Sequence, residues 1–222
     1  RLFLLDHVDI PAVFAYLAAT SILHDNDHVS KNYYLYRDSD GDKEWRFIPW
    51  DKDLTFGRIY TLDGGVLNDN IYADTDPLGH PLFGDSDHPK ISGKWNRFID
   101  AIYRVPQLRS MYLRHLQVQM DALLQPLETP AGDRLIETRI DELRSVTGPE
   151  IELDVQAWPL DWGDLQTTDE AIAILKQDYL DTRRFHLYTT HRELGTIPDT
   201  QPETPDVIFG IVVSAPSSGD AE

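Results

Sequence analysis

A chain of 222 residues is long enough to bury a sizeable core, as one domain or as one domain with an appendage. Its 38 acidic against 20 basic residues give a net charge of −18, which disfavours nucleic-acid backbones and anionic lipid and attracts divalent cations, although most of that charge is expected to be solvated surface. The absence of cysteine excludes disulfides, thiolate catalysis and thiolate zinc sites, and no apolar run approaches the roughly 18–20 residues of a membrane helix. Arg1-Leu2-Phe3-Leu4-Leu5 reads as the interior of a folded piece, so an excised segment is expected and the lack of a signal peptide says nothing about export.

The first element is a helix opened by Asp9 as N-cap with Pro11 in its first turn; Phe14, Leu17 and Ile22 lie on its apolar side, and it ends near His24. Tyr33-Tyr34-Leu35-Tyr36 and Trp45-Arg46-Phe47-Ile48 flank Asp38-Ser39-Asp40-Gly41-Asp42 and predict a hairpin. From Tyr60 to Gly93 the chain is rich in Gly, Asp, Asn and Pro with little periodicity, which predicts a long loop. Helices follow over Lys94–Arg104, Pro106–Gln125 and about Ala131–Val146, the second carried by Leu108, Met111, Tyr112, His115 and Leu116. After a Trp- and Pro-bearing interruption at Ala157–Trp162, Thr167 and Glu170 form a capping-box pattern for a helix to about Glu193. Pro198, Pro202 and Pro205 make residues 196–206 an extended linker, and Val207–Val213 reads as a strand.

The chemistry concentrates between His24 and Gly57. Asp27 is followed five residues later by Asn32, and Asp51 stands on the far side of the predicted hairpin. Phosphotransferases use that order to set one carboxylate toward a hydroxyl nucleophile and to hold metal on the phosphates with two further oxygen ligands. Asp27 is the candidate catalytic carboxylate, Asn32 and Asp51 the candidate metal ligands, and Lys31 a candidate nucleotide-binding cation that screens transferred charge. Asp53 either assists Asp51 or faces solvent. Asp-x4-Asn alone occurs by chance in most proteins, and Asp27 could equally cap nearby amides.

Other constellations read more simply as structure. Asp38 to Glu44 has a calcium-like look, but its Gly is misplaced for an EF-hand and an acidic hairpin turn fits better. Asp74, Asp76, Asp85 and Asp87 with His80 and His88 form either a second cation site or solvated loop charge. His24 and His28 would suggest zinc on a helix, but their surroundings predict a loop. Asp169, Glu170 and Asp178 are the solvent face of the last helix.

The words around the candidate residues carry a resemblance. Asn32-Tyr33-Tyr34-Leu35-Tyr36-Arg37-Asp38 and Trp45-Arg46-Phe47-Ile48-Pro49-Trp50-Asp51-Lys52-Asp53-Leu54-Thr55-Phe56-Gly57 closely resemble the CotH kinase family, and the later helices with Arg183-Arg184 are similar as well. The resemblance covers roughly residues 1–195. It implies an α+β, mostly helical fold with a small β-hairpin, the C-terminal lobe of an atypical protein-kinase-like fold. It implies Asp27 as the catalytic Asp, Asn32 and Asp51 as ligands of Mg²⁺ or Mn²⁺ on ATP, and Tyr34, Trp45 and Trp50 as packing residues. Lys31 stands where the family often has His. No Gly-rich phosphate loop and no strand-borne ATP lysine can be identified, so the nucleotide-clasping lobe is expected upstream and this piece is expected to be inactive alone. The tail from Ile211 to Glu222 is similar to the start of a lamin-tail domain, a module found beside CotH domains in large bacterial surface proteins.

The expected activity is phosphoryl transfer from ATP to a Ser or Thr of a surface or coat protein, at the cell surface or outside it, with no nucleic acid and no membrane insertion. The alternative from another class is a non-catalytic surface module for adhesion, stabilised by Ca²⁺. The expected domains are 1–195 for the kinase-like portion, 196–206 for the linker and 207–222 for the start of a following β domain.

Overall fold

A computed structural model describes residues 2–25, 31–53, 55–56, 59–60, 67–68, 96–158, 167–190 and 197–198. Most of the expected 60–93 loop, most of the linker, the 207–222 strand and tail, and Asp27 itself lie outside the described residues.

The fold is α+β and mostly helical, with a small antiparallel hairpin. Helix α1 (Leu2–His7) leads through Val8 into α2 (Ile10–Ile22), whose N-cap is Asp9: its carboxylate accepts the Ala12 amide at 3.0 Å, and Pro11 sits in the first turn. The hairpin follows as β1 (Tyr33–Arg37) and β2 (Trp45–Pro49), paired with Tyr33 opposite Pro49 and Arg37 opposite Trp45. Two short strands, β3 (Ile59–Tyr60) and β4 (Leu67–Asn68), pair antiparallel with each other. Then come α3 (Arg97–Tyr103) and α4 (Pro106–Gln119), the latter running on through a π-helical turn, Met120–Leu124. Helix α5 (Leu135–Ala157) follows a short 3₁₀ turn. A last helical run is built from α6 (Thr168–Ala173), a π stretch at Ile174–Leu180, α7 (Asp181–Arg184) and a π stretch at Phe185–Thr190.

The core is α2 against α4, with the hairpin on one flank and the last helical run on another. Val13, Phe14, Leu17 and Ile22 of α2 are buried with Leu108, Tyr112, Leu116 and Met120 of the α4 run, the 3.6-residue spacing that predicted both helices. Tyr179, Leu180 and Leu187 close this core from the last run. Phe47 of β2 stacks on Tyr16 of α2 with ring centroids 4.8 Å apart and planes 8° apart, and Tyr33 meets Phe47 edge-on at 4.7 Å. Aromatic pairs of this kind contribute about 0.5–1.5 kcal/mol beyond the area they bury.

Three sequence expectations are corrected. Helix α5 was expected to stop near Val146 and runs to Ala157 through Pro149, because one proline removes a single ladder bond and the Glu-rich residues beyond it are good helix formers. Helix α3 begins at Arg97, not Lys94, where Asn96 caps it by accepting the Phe98 and Ile99 amides. Tyr34, Trp45 and Trp50 were expected to pack but are 55%, 37% and 60% exposed. The strand alternation explains Tyr34: with Tyr33 and Phe47 turned to α2, Tyr34 and its partner Ile48 face outward.

Candidate active site

The site is built around the end of α2, where the chain leaves the core. Leu23 and His24 follow the helix, and His24 adopts φ 48°, a left-handed conformation usually given to glycine. The Asp25 amide bonds the Thr20 carbonyl at 3.0 Å and the His24 amide bonds that of Ser21, the paired bonds of a Schellman cap without its glycine. Neighbouring elements satisfy the remaining carbonyls. Arg183 donates through its guanidinium to the Ser21 carbonyl, the Tyr179 hydroxyl donates to that of Ile22 at 3.1 Å, and the Phe56 amide donates to that of Leu23 at 2.6 Å. A buried cation at a helix C-terminus also favours the negative end of the helix dipole. The exit point of the candidate loop is therefore fixed from the last helical run and from the segment after β2.

Asp25 comes first out of the helix. Its carboxylate is 2% exposed and accepts from the Lys52 ammonium at 2.9 Å. The same ammonium reaches the Tyr16 hydroxyl at 3.3 Å and lies 5.5 Å from the centre of that ring. Burial pushes the Tyr16 hydroxyl far above the usual phenol range, with the Asp25 and Tyr33 charges adding to the effect, so Tyr16 stays neutral. Asp25 and Lys52 carried no signal in the sequence, because an isolated Asp and an isolated Lys read as surface until the fold buries one against the other.

Asn32 and Asp51 stand at the open end of the hairpin. Asn32 precedes Tyr33 and Asp51 follows Trp50, and the Trp50 amide donates to the Asn32 carbonyl at 3.1 Å, extending the β1–β2 ladder by one pair. Two residues separated by a hairpin in sequence are thus neighbours at its mouth. Both are left-handed, with φ 60° at Asn32 and φ 51° at Asp51, and Phe56 is too, with φ 58°. With His24, these make four of the six non-glycine residues with positive φ among those described. Asn, Asp and His adopt this conformation more readily than most residues, whereas for the bulky Phe56 it carries backbone strain on the order of 1–3 kcal/mol. Phe56, in the Thr55-Phe56-Gly57 turn, packs edge-on against Tyr179 at 5.5 Å.

Of the candidate residues, Asn32 is half-buried while Lys31, Asp51 and Asp53 are exposed, and Asp27 lies outside the described residues. The donor chemistry fits a hard cation. Asn32, Asp51 and Asp53 offer only oxygen ligands of the sort Mg²⁺ and Mn²⁺ take, one or two carboxylates being completed by phosphate and water. Among the described residues no group of three or more His, Asp or Glu side chains is placed to hold a metal ion.

The acidic hairpin turn is already occupied with its own backbone. Asp38 accepts the Asp40 and Gly41 amides at 3.0 Å each, and its carboxyl sits where a Cβ on Gly41 would be. Asp42 accepts the Glu44 amide, which with Arg46 holds its carboxyl below the usual carboxylate range. Arg46 also pairs with Asp9 at 3.3 Å, and the Asp9 amide bonds the Trp45 carbonyl at 3.0 Å, so the turn end of the hairpin is tied to the start of α2. The bland reading of this acidic run as a turn holds.

Fold and site together define a helical α+β protein whose β-hairpin mouth is flanked by Asn32 and Asp51. The family described as CotH kinase protein matches residues 4–187, and the chain belongs to that family. No curated protein matches it.

Proposed function

We propose that this protein transfers a phosphoryl group from ATP to the hydroxyl of a Ser or Thr side chain. The observation that carries the reading is the placing of Asn32 and Asp51 on the two sides of the hairpin mouth, both left-handed, within a CotH kinase family chain. Asp27 orients the acceptor hydroxyl and takes its proton. The hydroxyl oxygen forms a bond to the γ-phosphorus as the bond to the bridging oxygen breaks, and ADP leaves. Asn32 and Asp51, with Asp53, would hold Mg²⁺ or Mn²⁺, which would neutralise charge on the phosphates. Lys31 is the cation that screens the transferred group. Phosphoryl transfer depends more on placement and charge neutralisation than on covalent help, so a site of few residues suffices. The acceptor we propose is a surface or coat protein at or outside the cell surface, and this rests on the resemblance set out above.

Metal choice tests the reading. Titrating Mn²⁺ into a form extended upstream, with and without nucleotide, is expected to give at least about tenfold tighter binding when nucleotide is present, because phosphate oxygens complete the coordination shell. Tight Ca²⁺ binding that ignores nucleotide would instead establish the Ca²⁺-stabilised surface module.

A further inference from the structure

The Asp25–Lys52 pair stands outside the residues assigned to phosphoryl transfer, yet it sits between them. Asp25 opens the segment that reaches Asn32, and Lys52 separates Asp51 from Asp53. Asp25 and Asn32 are each fastened to one short stretch after β2: the Asp25 carboxylate to the Lys52 ammonium at 2.9 Å, and the Asn32 carbonyl to the Trp50 amide at 3.1 Å. The Tyr16 hydroxyl, 3.3 Å from the same ammonium, anchors the pair to α2. An ionised pair with one partner 2% exposed is not needed for the core, since apolar side chains of similar volume stabilise such positions as well or better.

We propose that Lys52 is a positioning residue, which, with Asp25 and Tyr16, sets the separation of Asn32 from Asp51 and Asp53 and so the fit of the site for a metal–nucleotide complex; this rests on the phosphotransfer reading. Its ammonium meets the Asp25 carboxylate and the Tyr16 hydroxyl. Lys52 draws the loop and the strand exit onto one point, so that ligands from two segments keep one spacing. Because the ammonium bridges a carboxylate and a hydroxyl on α2, side chains lacking a donor leave the strand exit free to shift.

The test compares the parent, in a form extended upstream to include the expected nucleotide-clasping lobe, with its Lys52→Met, Lys52→Arg and double Asp25→Asn/Lys52→Met variants. The double variant leaves no lone buried charge and is expected to melt within a few degrees of the parent, which keeps the test open if Lys52→Met alone fails to fold. Two readouts follow. Hydrogen exchange at the Trp50 amide, measured without nucleotide, is expected to quicken at least about tenfold in the double variant. Mn²⁺–ATP binding is expected to weaken at least about tenfold there and to recover part-way in Lys52→Arg, which keeps the cation. Unchanged Trp50 exchange in a folded double variant overturns the clamp. Faster exchange with parent-like Mn²⁺–ATP affinity overturns the positioning role. An extended parent form that binds no Mn²⁺–ATP overturns the phosphotransfer reading, and with it the role assigned to Lys52; the exchange readout, taken without nucleotide, tells that failure from failure of the clamp.

Discussion

Asp51 shows how a single side chain can be separated from the backbone that holds it. Its carboxylate is exposed while its backbone is left-handed at φ 51°, a conformation Asp and Asn both tolerate. Asp51→Asn therefore keeps the backbone and the shape and removes one negative charge. The expected result is a loss of at least about 100-fold in phosphoryl transfer, with the thermal midpoint unchanged within about two degrees, as surface substitutions rarely exceed ±0.5 kcal/mol. Lys52 behaves oppositely: Lys52→Met removes a cation from beside the buried Asp25 carboxylate and is expected to lower stability well beyond a surface substitution, read by denaturant unfolding. His115 makes a pH prediction. Burial against α2 lowers its pKa, so the unfolded chain binds a proton that the folded chain resists. The folded state thus loses stability as pH falls below the ordinary His value of about 6.5, and His115→Gln should flatten part of that slope between pH 7.5 and pH 5.5.

At the scale of elements, the last helical run acts as the brace of the site. Tyr179 and Arg183, four residues apart, both reach carbonyls at the end of α2, while the neighbouring Arg184 turns to the other side. The Arg184 guanidinium is fully buried; it pairs with both Glu137 oxygens at 2.6 and 2.8 Å and donates to the Leu124 carbonyl where the π turn ends. Arg184→Ala is expected to destabilise by about 3–5 kcal/mol and Arg184→Lys by a large part of that, because an ammonium cannot reproduce the fork; urea unfolding measures both. The element pattern was open to reading where the signal is local. Asp9 caps α2, Thr167 and Glu170 form the capping box, and the aromatic runs around Asp38–Asp42 form the hairpin. It was closed where partners are distant. The basic pair was visible as two adjacent arginines, but nothing local told that both are buried. The end of α2 lacked its usual glycine signal because His24 takes the left-handed position under enforcement from the contacts around it. Helix α5 runs past its expected end near Val146 with Pro149 inside it.

For the whole molecule, the surplus of acidic residues is a surface property that works against the compact state. Raising salt from low to moderate concentration is expected to raise the thermal midpoint by screening repulsion, where a protein stabilised mainly by surface ion pairs would lose stability. No described helix is long and apolar enough to cross a membrane. The candidate site was half legible in the sequence: spacing named Asn32, Asp51 and Asp53, and the hairpin that unites Asn32 with Asp51 followed from its aromatic strands. What the sequence withheld was the set of contacts holding that mouth in place, Asp25 with Lys52 and Tyr16, and Arg183 with the end of α2. Those depend on residues 27 to 162 positions apart becoming neighbours. The central claim, that the hairpin mouth is a phosphotransfer site, is tested most directly by labelled-phosphate transfer from ATP with Mn²⁺ or Mg²⁺. The assay would use this chain and a form extended upstream, each beside its Asp51→Asn variant. Transfer by the extended form, lost in its Asp51→Asn variant, is the result expected. No transfer from a folded extended form across several metals and Ser- or Thr-bearing acceptors, or transfer that survives Asp51→Asn, would contradict the account.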